Sequence, residues 1–118
     1  MKLNSARAFR VAPALAVALG LLLFDSGPVP AAAAVAKTHT VTIDGTGFDP
    51  ETITVKAGDT VVWVNKDPFP HTATSQTGGF DSKEIPAGKS WPFKTTKAGV
   101  FAYTCAFHPT MKATLKVE

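Results

Sequence analysis

The residues best suited to chemistry lie in one short segment near the C-terminus. Cys105, His108 and Met111 follow one another at intervals of three residues, and Cys105 is the only cysteine of the chain. Taken singly, each of these residue types is more often a structural residue than a ligand. Taken together, a thiolate, an imidazole and a thioether form a soft donor set, which suits copper better than calcium, magnesium or a closed zinc site.

A second imidazole is available upstream. His71 follows Phe69 and Pro70 in a turn that lies 34 residues before Cys105. Two histidines and one cysteine in a plane, with a distant axial methionine, are the arrangement of blue-copper electron-transfer sites. The sequence therefore predicts one type 1 copper ion held by His71, Cys105, His108 and Met111.

The elements that must position these residues are strands. From Lys37 onward apolar and polar residues alternate with a period of two, and no helical repeat of useful length occurs. Strands are predicted at residues 38–43, 51–56, 60–65, 72–75, 88–95, 99–105 and 111–117, with a brief further pairing at 79–82. The 60–65 strand is the most apolar and is expected to be central, whereas Pro92 moves the 88–95 strand toward an edge. Seven or eight short strands favour an all-β, Greek-key β-sandwich.

The large aromatic residues are expected to fill the core of this sandwich rather than to stack on a cofactor. They are Phe48, Trp63, Phe80, Phe93 and Phe101.

The segment from Tyr103 to Val117 resembles the C-terminal ligand loop of the cupredoxins, the plastocyanin- and azurin-like family. Its Cys-x2-His-x2-Met spacing is that of the amicyanin-type small blue copper proteins, and residues 53–65 are similar to the second and third strands of small cupredoxins. The resemblance extends from about residue 38 to residue 118. It implies a cupredoxin-like sandwich with one type 1 copper ion, in a protein that carries single electrons between redox partners and is not an enzyme.

Two positions depart from the family pattern. Thr72 stands where the family usually has an asparagine whose side chain ties the two ligand loops together, so the resemblance leaves this tether open. Its backbone N–H is nevertheless expected to donate to the cysteine sulfur. Phe107 stands where amicyanin has a proline, and it restores an N–H near Cys105.

The resemblance also implies a docking site. In cupredoxins the edge of the C-terminal histidine emerges through an apolar patch, which predicts transient docking of redox proteins near His108. The residues expected to surround it are Phe69, Pro70, Phe107, Pro109 and Thr110, and the alternative is that they only form turns.

The N-terminal 36 residues are predicted to be a cleaved secretory signal peptide, and residues 37–118 the cupredoxin domain. Lys2, Arg7 and Arg10 precede an apolar run at 11–24, and small residues at 31–36 suit cleavage between Ala33 and Ala36. An apolar run of this length is shorter than the roughly 20 residues that span a bilayer. The predicted location is periplasmic.

Removal of this segment lowers the formal charge from +3 to about +1, because it carries three basic residues and one acidic residue. The remaining chain has no block of like charge, so nucleic acid is a poor candidate partner. A monomer without stable membrane insertion is expected. A single cysteine in an exported chain is either a free thiol or a ligand, not part of a disulfide framework.

Two other classes of function are alternatives to an electron carrier. A periplasmic copper-binding or chaperone protein of the same fold would exchange its metal, whereas a carrier holds it in both redox states. An enzyme needs a second copper site or a substrate pocket, and His39 is the only histidine left for one.

After cleavage at Ala36, His39 would stand third in the chain and could bind Cu(II) with the new amino terminus. An exposed histidine at a strand end is the simpler interpretation.

Overall fold

The computed structural model describes residues 35–118 and the isolated positions 13, 14, 20 and 27. The predicted signal peptide therefore lies almost wholly outside the described residues. The chain divides into two compact units, Met1–Ala32 and Ala33–Glu118, and every strand among the described residues belongs to the second. In the described part of the chain, no helix has the length and apolar character that crossing a membrane requires.

Eight strands form two four-stranded sheets. The strands are β1 (Thr38–Asp44), β2 (Gly47–Asp49), β3 (Thr52–Val55), β4 (Thr60–Asn65), β5 (Thr74–Ser75), β6 (Ser90–Lys94), β7 (Gly99–Thr104) and β8 (Lys112–Val117). One sheet has the order β2-β1-β4-β6 and the other the order β3-β8-β7-β5. This arrangement confirms the predicted all-β sandwich.

Parallel and antiparallel pairing are mixed within each sheet. Strands β1 and β4 are parallel, with Val41 opposite Trp63, and β3 and β8 are parallel, with Ile53 opposite Leu115. Strand β7 lies between β8 and β5 and is antiparallel to both. The loops that follow β4 and β7 meet at one end of the sandwich, and this end carries the predicted donor residues.

The core lies between the sheets, because alternate residues of each strand point inward. In β4, buried and half-buried residues alternate without a break. Trp63 and Tyr103 join the two sheets, since the indole Nε1–H donates to the tyrosine Oη at 3.2 Å. Phe48 and Phe80 are buried beside them, and the two remaining aromatic residues of the predicted set, Phe93 and Phe101, pack half-buried against this core. The core prediction is confirmed.

Most strand predictions are confirmed, and the differences have physical causes. Strand β4 has the predicted bounds and an internal position, and β6, which contains Pro92, lies at an edge. The predicted 72–75 strand is reduced to Thr74–Ser75, because the N–H groups of Thr72 and Ala73 donate to side chains instead of a neighbouring strand. Strand β2 was not predicted, since three residues are too few to show an alternating pattern.

Candidate metal centre

The loop between β4 and His71 is organised by a buried asparagine. The Nδ2 amide of Asn65 donates to the carbonyl oxygens of Phe69 and Ile85 at 2.8 and 2.9 Å, and its Oδ1 accepts the N–H of Asp67 at 2.9 Å. His71 is then paired with Ile85 by two backbone hydrogen bonds. The backbone at His71 is therefore fixed from two sides.

The ring of His71 is oriented by a carboxylate. Nε2 of His71 lies 2.7 Å from Oδ2 of Asp67, and both residues are buried. An ionised carboxylate only accepts hydrogen bonds, so Nε2 carries the proton and Nδ1 keeps its lone pair. Burial alone would lower the pKa of His71, but the Asp67 carboxylate and Cys105 raise it. The hydrogen bond from His71 in turn lowers the pKa of Asp67.

The other donors lie on a closed turn after β7. The N–H of His108 donates to the carbonyl of Cys105, the N–H of Met111 donates to the carbonyl of His108, and the N–H of Cys105 donates to the carbonyl of Met111. Cys105 and Met111 are buried at the two ends of this turn. His108, between them, is exposed.

The two imidazoles face the cysteine sulfur at nearly equal distances. Nδ1 of His71 lies 3.7 Å from Sγ of Cys105, and Nδ1 of His108 lies 3.8 Å from it. Nitrogen and sulfur ligands at roughly 2.0 and 2.3 Å from one ion, in a trigonal set, lie about 3.7 Å apart. The ligand atoms of all three residues lie within 4.8 Å of one another, so their spacing fits a shared metal ion.

The surroundings of the Cys105 sulfur favour its ionised state. The backbone N–H of Thr72 donates to Sγ at 3.3 Å. Burial alone would raise the pKa of the Cys105 thiol, but the N–H of Thr72, the rings of His108 and His71 and the N–H of Phe107 lower it to about 6. Because the thiolate is the form that binds metals, this environment favours ligation.

Thr72 also supplies the loop tether that the sequence left open. Its hydroxyl oxygen accepts the N–H of Ala106 at 2.7 Å, so the segment after His71 is hydrogen bonded to the residue that follows Cys105. Thr72 thus contacts the Cys105 turn twice, through its backbone N–H and through its hydroxyl.

Each of the two loops that carry the donors exposes apolar side chains. Phe69 and Phe107, from the two loops that carry the donors, are 66% and 52% exposed. His108, Pro70 and Pro109 are exposed as well. Single exposed apolar side chains are common on protein surfaces, whereas a contiguous apolar patch often marks an interaction surface.

The structure brings His71, Cys105 and His108 together and places Met111 at the end of the same turn. Asp67 and Asn65 were missed by sequence reasoning, although both shape the site. The signal for Asp67 was its position four residues before His71 in a proline-stiffened loop. His39, outside this site, lies in β1, where its Nε2–H donates to Asp59 at 2.9 Å.

This fold and this donor set define a class of protein. The family model of the cupredoxin-like domain matches residues 14–117, and the chain belongs to that family.

Particular relatives are plastocyanins and amicyanins. The chain is 34% identical to the plastocyanin of Scenedesmus fuscus over 89 residues, which cover 60% of this chain and 86% of that protein. It is 30% identical to the amicyanin of Paracoccus versutus over 96 residues, which cover 77% of this chain and 73% of that protein.

Solved structures agree with this assignment. An oxidised amicyanin with a methionine-to-leucine substitution has a TM-score of 0.64 and 26% identity, covering 68% of this chain and 81% of that one. A copper-containing nitrite reductase from Thermus scotoductus has a TM-score of 0.65 and 29% identity, but the match covers 69% of this chain and only 22% of that one.

Proposed function

We propose that this protein is a type 1 copper protein that carries single electrons between redox partners. One observation carries the proposal: the Nδ1 atoms of His71 and His108 face the Cys105 sulfur at 3.7 and 3.8 Å. Two imidazoles and one thiolate form the equatorial set of blue-copper sites. Met111, buried at the end of the same turn, would supply a further sulfur ligand that binds copper only weakly.

The surrounding residues suit electron exchange because they restrict movement of the donors. A bound copper ion would supply the exchange of one electron between its cuprous and cupric states. Asp67 orients His71, Asn65 fixes the loop before it, and hydrogen bonds close the turn from Cys105 to Met111. A site that changes little in geometry between two redox states needs little reorganisation, and burial of Cys105 and His71 excludes water from the thiolate.

Electrons would enter and leave through His108, the only donor of the set that is exposed. Phe69 and Phe107, exposed on the two loops that carry the donors, offer apolar contact area to a partner. Such a small surface suits transient docking of a redox protein to a monomeric carrier. We assign no catalytic role to the site. The related nitrite reductase is a much longer chain, of which this protein matches 22%.

The alternative of a copper chaperone predicts a different behaviour. A chaperone favours one redox state and releases the metal to a partner, whereas the buried Cys105 and the carboxylate-held His71 favour retention in both states. Measuring the exchange of bound Cu(I) and Cu(II) with a competing chelator separates the two functions. Rapid release of Cu(I) together with weak binding of Cu(II) would favour the chaperone.

We also propose that residues 1–36 direct export and are removed, which places residues 37–118 in the periplasm. The basic start, the apolar run and the small residues before Lys37 support this. Mass spectrometry of the protein recovered from the periplasm tests it. A mass that retains the N-terminal segment would contradict cleavage.

The visible spectrum of the copper-loaded protein tests the function. An intense blue absorption band is expected for a cupric ion bound to the Cys105 thiolate, and Cys105→Ser is expected to abolish it. Met111→Ala is expected to keep the colour and shift the reduction potential, because the axial bond is long and weak. His39→Asn is the control, because the ring of His39 is hydrogen bonded to Asp59 and lies outside the donor set. This substitution should change neither the colour nor the reduction potential. A colourless complex of the parent protein would contradict the proposal.

A further inference from the structure

A line of hydrogen bonds leads from the Cys105 turn to the protein surface. The N–H of Ala106 donates to Oγ1 of Thr72 at 2.7 Å. Oγ1 of Thr72 lies 2.9 Å from Oγ1 of Thr74, and the Thr74 hydroxyl donates to Oδ1 of Asp81 at 3.2 Å. Two threonine side chains thus connect the residue after the cysteine with an exposed carboxylate.

The carboxylate determines the direction of the two hydroxyl bonds in this line, whereas the N–H of Ala106 can only donate. Asp81 can only accept, so the single proton of the Thr74 hydroxyl points to it. Oγ1 of Thr74 must then accept from the Thr72 hydroxyl. Oγ1 of Thr72, with its own proton committed to Thr74, presents a lone pair to the N–H of Ala106. Without Asp81 the Thr72–Thr74 bond could be reversed.

Asp81 is itself held in place. The N–H of Lys83 donates to its Oδ1 at 2.9 Å, and Nζ of Lys83 lies 3.1 Å from its Oδ2. A bridge also pairs the backbone of Asp81 with that of Thr74. The N–H of Lys83, followed by its ammonium group, lowers the pKa of Asp81, so the carboxylate is ionised at neutral pH. Asp81 therefore remains a hydrogen-bond acceptor at neutral pH.

We propose that Thr74 and Asp81 are positioning residues for the cysteine ligand. By orienting the Thr72 hydroxyl, they fix the N–H of Ala106 and keep the Cys105 sulfur against the N–H of Thr72. The consequence for redox properties rests on the proposed copper site, whereas the hydrogen-bond line itself does not.

Weaker hydrogen bonding to the Cys105 sulfur is expected to change the reduction potential in one direction. A hydrogen bond to a thiolate withdraws negative charge from it and so favours the cuprous state. If the Ala106 anchor loosens, the 3.3 Å bond from the Thr72 N–H to Sγ weakens as well, because Ala106 adjoins Cys105. Disruption of the line is therefore expected to lower the reduction potential.

Thr74→Val tests the proposal, because valine keeps the shape and strand preference of threonine and has a methyl group in place of the hydroxyl. Thr74→Ser restores the hydroxyl, and Asp81→Asn keeps the size of the side chain but removes the obligatory acceptor. Thr54→Val, in β3 opposite Lys116, is the control for a threonine-to-valine change in the same sheet. All variants are prepared in the full chain.

Amide hydrogen exchange at Ala106 in the metal-free protein is the first measurement. Thr74→Val is expected to speed it about fivefold, the change that corresponds to one ordinary hydrogen bond. Asp81→Asn should have a smaller effect of the same sign, and Thr74→Ser and Thr54→Val should leave the rate near that of the parent.

The reduction potential of the copper-loaded protein is the second measurement. Thr74→Val is expected to lower it, and Thr74→Ser to restore it. Unchanged exchange at Ala106 together with an unchanged potential in Thr74→Val would overturn the proposal, as would a Thr74→Ser variant that behaves like Thr74→Val. If the parent binds copper without blue colour, the proposed function fails, while the exchange rates still decide whether the hydrogen-bond line positions Ala106.

Discussion

The Nε2–H of His71 donates to the carboxylate of Asp67 over 2.7 Å, and both groups are buried. This pair selects the tautomer in which Nδ1 is free to face the sulfur of Cys105. A carboxylate behind a ligating imidazole orients the ring and raises its basicity. The position of Asp67 therefore matters to the site as directly as that of the donors.

Replacing Asp67 by alanine is expected to weaken copper binding by roughly tenfold to a hundredfold, because His71 loses its orienting partner. Asp67→Asn should fall between this variant and the parent, since the amide retains an acceptor oxygen. Competition titration with a chelator measures the affinity. Asp44→Asn, an exposed carboxylate in β1, controls for the loss of charge. Equal affinities for Asp67→Ala and the parent would show that the pair is only structural.

Phe107→Pro is expected to lower the reduction potential. Proline removes the N–H that helps to lower the pKa of the Cys105 thiol, so the thiolate keeps more negative charge and favours the cupric state. Phe107→Ala keeps the N–H while also removing the exposed ring, and its potential should stay near that of the parent. Voltammetry provides the values, and an unchanged or raised potential in Phe107→Pro speaks against the bond.

Tyr103→Phe is expected to destabilise the fold by about 1–3 kcal/mol, because the buried Nε1–H of Trp63 loses its acceptor. The free energy of unfolding in urea, measured on the metal-free protein, gives the cost. Trp63→Phe and the double variant complete a cycle that isolates the coupling between the two residues. Additive effects of the two substitutions would mean that the hydrogen bond does not couple the sheets.

Gly79→Ala is expected to destabilise the protein by about 1–3 kcal/mol through overpacking. A Cβ at this position would lie 2.8 and 2.9 Å from ring atoms of Phe101, closer than such contacts normally occur. Gly47→Ala is the matched control, because the space around Gly47 is open. A smaller residue in place of Phe101 should relieve the cost. Thermal unfolding of the variants measures both effects, and equal stability of Gly79→Ala and Gly47→Ala would disprove the steric explanation.

Asp59 is expected to make stability depend on acid pH. The N–H of Lys37, the ring of His39 and the N–H of Lys56 all donate to its carboxylate and lower its pKa from 3.8 to about 2. A carboxyl group with a lowered pKa stabilises the fold above its unfolded value, and this contribution is lost as the pH falls through the folded value.

Asp59→Asn should therefore be less stable than the parent at neutral pH, with the difference shrinking between about pH 4 and about pH 2. Denaturant unfolding at a series of pH values measures the difference, and Asp44→Asn again controls for net charge. A difference that stays constant over this range would exclude ionisation of Asp59 as its cause.

Much of the fold could be predicted because strand formation leaves a local pattern. The alternation in Thr60–Asn65 marks a half-buried strand whatever surrounds it, and Pro92 excludes an internal position for β6. The donor residues could be found for a similar reason, since a single cysteine with histidine and methionine at fixed spacing is rare. Their role as ligands stays a prediction, although three of them are brought together.

The supporting hydrogen bonds could not be predicted in the same way, because they depend on how loops distant in sequence meet. Asn65 reaches Ile85, 20 residues away, and Thr72 reaches Ala106, 34 residues away. Side-chain type alone does not distinguish a threonine that tethers two loops from one that faces solvent. Only the position of the threonine in the folded chain distinguishes these two cases.

X-ray absorption fine structure of the copper-loaded protein identifies the atoms that bind the metal. One short sulfur ligand and two nitrogen ligands are expected around copper, with the sulfur lost in Cys105→Ser and one nitrogen lost in His71→Ala. A first shell of nitrogen and oxygen alone, without the sulfur of Cys105, would contradict this ligand set.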